Sequence, residues 1–165
     1  MDYKEYHKTY YNFKRAKNKL HKIEDELADV INALLSVTSQ IKDIVSFGGF
    51  NSDKMLSLTT RKDELEQQEI LARDLLKVRE KQNIDAEKEL RKSKESKDII
   101  YYRYFIDHIK VKDISKEIPL AREYTYELLK QIKVDITNIE QEIREKYKKK
   151  IKELTKSYKI LKNLC

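Results

Sequence analysis

The chain has 165 residues, 39% of them charged and 39% hydrophobic, and a formal net charge of +7. That balance is too apolar for a disordered chain. Two glycines and one proline are too few turn residues for a β-sandwich or an α/β fold.

The dominance of Lys, Glu, Leu, Ile, Asp and Arg predicts an all-α protein of long helices with wide solvated faces. No apolar run reaches the roughly 18 residues a membrane helix needs. The opening stretch MDYKEYHKTYYNFKR has no apolar core of a signal peptide. Cys165 is the single cysteine, so no intrachain disulfide is expected, and a reducing cytoplasm is the expected compartment. The abundance of Lys, Ile, Tyr and Asn is that of an AT-rich genome.

Residues 3–46 carry two apolar rows that each repeat every seven residues. One row is Tyr6, Phe13, Leu20, Leu27, Leu34 and Ile41; the other is Thr9, Ala16, Ile23, Val30, Val37 and Ile44. Rows offset by three form the seam of a coiled coil.

The stretch SFGGFNSDK follows, where Gly48 and Gly49 permit a tight turn and Asn51 or Ser52 can cap the next helix. A second helix is predicted over about 53–95. Its apolar side is Met55, Leu58, Leu65, Ala72, Leu75, Leu76, Ala86 and Leu90, interrupted by Lys62, Glu69, Arg79 and Asn83. Residues 1–95 therefore read as an antiparallel hairpin with arms about 60 Å long. A parallel homodimer through the first helix stays open as the alternative.

RKSKESKD, residues 91–98, reads as a joint, and 98–107 as a short apolar helix. Within 98–134 two more short helices flank Pro119, which lacks an amide N–H and disfavours helix at Ile118. A continuous helix through proline costs about 3 kcal/mol, so a break is the cheaper arrangement. The expected core is Val111, Ile114, Ile118, Leu120, Thr125, Leu128, Leu129 and Ile132. This is the pattern of a helix-turn-helix.

From Ile132 the helical spacing continues through Ile136, Ile139, Ile143, Tyr147, Ile151, Leu154, Tyr158 and Leu161. Residues 135–165 thus read as a long amphipathic helix, in which the last helix of the 98–134 module runs on or restarts, and whose seam is free to dock on the hairpin or on a second copy. It is strongly basic: the count over 146–162 is +7, and the rest of the chain balances.

On Phe105-Ile106-Asp107, His108, Asp113-Ile114-Ser115, Ile118-Pro119-Leu120-Ala121 and Tyr126, the chain resembles the helix-turn-helix of sigma-factor region four. With the hairpin ahead of it, the stretch 13–132 is similar to small bacteriophage regulators of the ArpU type. The resemblance implies DNA binding, transcription regulation and a helix in the major groove. There are departures. Ala121 stands at the usual serine cap of the recognition helix, His108 at the turn glycine, and Arg103-Tyr104 is displaced by one residue from the family's Arg-Tyr pair. The basic C-terminal helix extends past the family pattern.

The expected DNA contacts are Arg122, Glu123, Tyr126 and Lys130 on the recognition helix, with Lys112 and Lys116 before it. Lys146, Lys148, Lys149, Lys150 and Lys152 add phosphate contacts from the arm. The tyrosines near the N-terminus and at 101–104 read as half-buried packing residues with hydroxyls reaching water. His7, His21 and His108 have no partner at metal-ligand spacing, so no metal, cofactor or enzymatic site is expected.

The expected partners are double-stranded DNA, with RNA polymerase or another host nucleoprotein beside it, and no membrane. Two other readings fit the same organisation: a non-catalytic phage protein inhibiting a host nucleoprotein complex such as a CRISPR effector, or a small terminase subunit.

Overall fold

In a computed structural model the described residues are 1–44, 52–118 and 120–162, with side chains over 1–38, 53–118 and 120–156. The predicted Gly48-Gly49 turn and Pro119 itself lie outside them. The chain is all-helical over the described residues: α1 (Tyr3–Ile44), α2 (Ser52–Leu90), α3 (Ser96–Tyr101), a π-helical turn (Tyr102–Ile106), α4 (Val111–Glu117) and α5 (Arg122–Lys162). It forms two compact units, one of residues 12–81 and one of residues 1–11 with 82 onward.

The 12–81 unit packs the body of α1 against α2. Leu20, Ile23, Leu27 and Val30 meet Leu65, Ala72 and Leu76. The direction is antiparallel: Glu24 pairs with Arg73 at 2.8 Å, and Glu26, further along α1, pairs with Arg61, earlier in α2, at 3.0 Å. Both predicted rows of α1 are buried or half-buried at every described side chain.

Helix α2 shows the same seven-residue repeat, and its polar interruptions Lys62, Glu69 and Arg79 sit half-buried in the seam. Leu75, expected on this side, is 44% exposed. With Leu76 on the seam, the adjacent position is turned about 100° away by the helical repeat.

The other unit has a layered core. Ala86 and Leu90 of α2, Ile100 and Tyr101 of α3, Val111, Ile114 and Ile118 around α4, and Leu128, Leu129 and Ile132 of α5 close around Tyr3 and Tyr6. Thr125 is fully buried, and Leu120 packs against the cluster from its rim. All eight core positions expected around the helix break are thus buried or half-buried.

Two boundaries differ from expectation. Helix α2 ends at Leu90 rather than near 95, because Lys92 and Ser93 turn back through amide bonds to Glu89 and Leu90. The helix expected over 98–107 starts at Ser96 and changes type at Tyr102, where the Asp107 amide donates to the Tyr102 carbonyl at 2.9 Å. The last helix begins at Arg122 and runs on past residue 134 without a break, one of the two arrangements expected.

The N-terminal segment is held by long-range polar contacts. The Tyr3 amide donates to Asp98 at 2.8 Å, so a buried carboxylate from 95 residues away caps the start of α1. Ser93 Oγ donates to the other oxygen of Asp98 at 2.6 Å. Three of the tyrosine hydroxyls expected to reach water are instead partnered within the protein. Tyr3 donates to Asp135, Tyr101 pairs with His7 Nδ1 at 2.8 Å, and Tyr11 accepts from Arg144 Nε at 2.8 Å. Burial and the neighbouring Asp135 push the Tyr3 phenol well above its ordinary range, and burial with Glu87 pushes Tyr6 up to about 12.

Candidate anion-binding groove

The joint between α3 and α4 positions the site. His108 has φ 57°, a left-handed conformation that is uncommon outside glycine. This residue lets the backbone leave the π-turn and re-enter helix at Val111. A polar network brackets the turn: Arg91 donates to Asp107 at 2.7 Å, and Arg103 donates to Asp107 at 3.2 Å and to Glu117 at 2.8 Å. Arg91 and Arg103 hold the Asp107 carboxyl below its ordinary range.

The break between α4 and α5 sets where α5, whose face is the second wall, begins. Ile118 is extended (φ −99°, ψ 131°) and buried, while Ala121 accepts the Thr125 amide at 3.0 Å as the residue flanking the helix start. Ala121 has no side-chain oxygen to cap α5.

Between these walls lies a groove of about 520 Å³ lined by Tyr104, Lys110, Val111, Lys112, Arg122, Tyr126, Leu129, Lys130 and Lys133. Five of the nine are cations and none is a carboxylate. Two cations lie over ring faces, Arg122 at 5.8 Å from the Tyr126 centroid and Lys133 at 5.1 Å from that of Tyr104. Such contacts hold a cation in place without neutralising it. Lys130 is partly offset by Glu127 at 2.8 Å.

Helical period explains the sorting of charge on α5. Positions 122, 126, 129, 130 and 133 recur at three- and four-residue steps and share one face. Glu123 and Glu127 fall on the neighbouring face.

Of the residues proposed from sequence, Lys112, Arg122, Tyr126 and Lys130 come together in the groove. Lys116 is exposed beside Asp113 at 3.2 Å and is not among the lining residues, nor is Glu123. Lys146, Lys148, Lys149, Lys150 and Lys152 are exposed further along α5, beginning about 20 Å past Lys133 at 1.5 Å per residue.

Sequence reasoning missed Lys133, Lys110 and Tyr104. Lys133 is three residues past Lys130 and seven past Tyr126, so the helical repeat was a sufficient signal. Tyr104 reaches the groove through the π-turn, for which no local pattern existed.

Among the described residues no group of three or more His, Cys, Asp or Glu could hold a metal, and no helix is long and apolar enough to cross a membrane. No family model, no curated protein and no solved structure matches this chain.

Proposed function

We propose that this chain is a non-catalytic, cytoplasmic DNA-binding transcription regulator of the bacteriophage type. In this reading α4 and the start of α5 are a helix-turn-helix similar to sigma-factor region four, and the 12–81 unit is its coiled-coil hairpin. The observation that carries it is the cation-lined groove at the junction of the two helices. Five lining cations, one of them offset by Glu127, leave a positive surface that attracts a phosphate backbone, which dominates protein–DNA affinity.

Two backbone details support the same reading. The position matched to the family's turn glycine, His108, has a positive φ. The one-residue displacement of Arg103-Tyr104 falls in the π-turn, whose wider ring takes up one extra residue. The basic arm adds phosphate contacts beyond the groove.

A gel-shift series with duplex DNA at several salt concentrations tests the proposal. Lys148, Lys149 and Lys150 changed together to Ala should weaken binding to every duplex and flatten the salt dependence by a slope of about 3 or less. Arg122→Ala should relax sequence preference as well. Absence of duplex binding at low salt would reject the reading.

A second reading has its own observation. Ile151 and Leu154, on the predicted seam of the C-terminal helix, are about 60% exposed. That favours a protein partner for the arm, as an inhibitor of a host nucleoprotein would need. Nuclease-resistant recovery of one such complex with the chain would favour it over DNA binding.

A further inference from the structure

A duplex backbone can be bound by cations on a convex helix face, so phosphate binding alone does not call for a concavity. The groove has one. Its volume of about 520 Å³ lies in the range of roughly 300–1,000 Å³ typical of small-ligand sites. Its lining is also chemically mixed. Val111 and Leu129 are apolar and nearly fully buried, Tyr104 and Tyr126 add ring surface, and the cations surround them. An apolar patch with ring walls suits a flat heterocycle; the lysines suit the phosphate attached to it.

We propose that the groove holds one unstacked nucleotide. Its base rests against Val111, Leu129 and the Tyr126 ring, and its phosphates meet Lys112, Lys130 and Lys133. This rests on the reading above that the groove is where phosphates bind, and adds that a base enters with them. Arg122 lies over the Tyr126 ring, and its planar guanidinium provides a further surface on which a base can stack. The same chemistry has two sources, a free nucleoside polyphosphate and an unpaired nucleotide at the end of a strand.

The test uses the full chain and two arms at fixed ionic strength. In the first arm, calorimetric titration compares ATP and GTP with inorganic triphosphate. In the second, gel shifts compare a blunt duplex with one carrying a single 5′-phosphorylated overhanging nucleotide. A base-dependent gain of about tenfold in either arm is the expected result, in line with the usual contribution of base–aromatic stacking. The arm with the larger gain assigns the source.

Tyr126 is 42% exposed, so Tyr126→Ala should leave the fold intact by circular dichroism. It should shrink the base-dependent gain severalfold while inorganic triphosphate binding stays within about twofold. Tyr126→Phe should keep the gain, and Lys112→Ala with Lys133→Ala should weaken all phosphate ligands together.

Equal binding with and without the base in both arms overturns the inference but leaves duplex binding standing. A Tyr126→Ala loss that is equal for inorganic and nucleoside triphosphates overturns it too. No binding of any phosphate ligand or duplex overturns both the inference and the reading beneath it.

Discussion

The two compact units solve the burial problem in different ways. The 12–81 unit packs two helices along a seam, and among its described side chains only Leu65 is almost completely hidden. The other unit assembles segments from five helices, and Leu90, Ile100, Ile114 and Ile132 are all completely hidden. Two antiparallel helices leave most of each surface in water, so a seam can tolerate Lys62, Glu69 and Arg79, whose long stems pack while their heads reach solvent. A core closed on several sides has no such exit, and its buried Asp98 carboxylate is paired with Tyr3 and Ser93. The unit with the closed core is also the one that bears the groove.

That contrast can be tested, and the largest effect should come from the closed core. Ile114→Ala should destabilise its unit by about 2–5 kcal/mol, measured by urea denaturation. Leu27→Ala, at a half-buried seam position, should cost the 12–81 unit roughly 1–2 kcal/mol. Equal losses would erase the distinction.

Acid should separate the units next. Asp107 has its folded pKa depressed by Arg91 and Arg103. Its contribution is present above the unfolded value of about 3.9 and is lost as pH falls through the folded one. Denaturation midpoints at pH 6 and pH 3 should therefore diverge more for the unit bearing Asp107. Asp107→Asn should reduce that difference; an unchanged difference would mean the network adds nothing.

Smaller effects concern the helix ends that shape the groove. Ala121→Ser supplies the missing cap of α5 and should stabilise by about 1 kcal/mol in the same assay. His108→Gly relieves the left-handed backbone but frees the unfolded chain, so a net gain of roughly 0.5 kcal/mol is expected. His108→Val should destabilise by about 1 kcal/mol or more, since a β-branched residue fits a positive φ poorly. A tolerated valine would remove the backbone argument for this turn.

Much of the fold was legible because it is written in local repeats. The two rows of α1 and the eight core positions around the α4–α5 break follow from three- and four-residue spacing. The end of α2 at Leu90 was legible only through the joint read over 91–98, against a helix drawn to about 95, and the change of helix type at Tyr102 was not legible. Each depends on where Arg91, Arg103 and Asp107 find one another, and no repeat encodes that. The site was half legible for the same reason. Lys112, Arg122, Tyr126 and Lys130 could be placed from their helices, whereas Tyr104 joins them only after the chain changes helix type.

By itself, then, the amino-acid order determined helix as the only regular structure among the described residues, which faces turn inward, and where the basic charge gathers. These are consequences of side-chain periodicity within a few turns. The tertiary structure alone decided that Asp98 caps α1 across 95 residues and that Tyr3 bonds Asp135 across 132. It also decided that cations at the start of α4 and along α5 converge with Tyr104 of the π-turn, with no carboxylate lining the groove. Convergence of distant segments depends on how closed cores pack in three dimensions, and a local pattern carries no record of it.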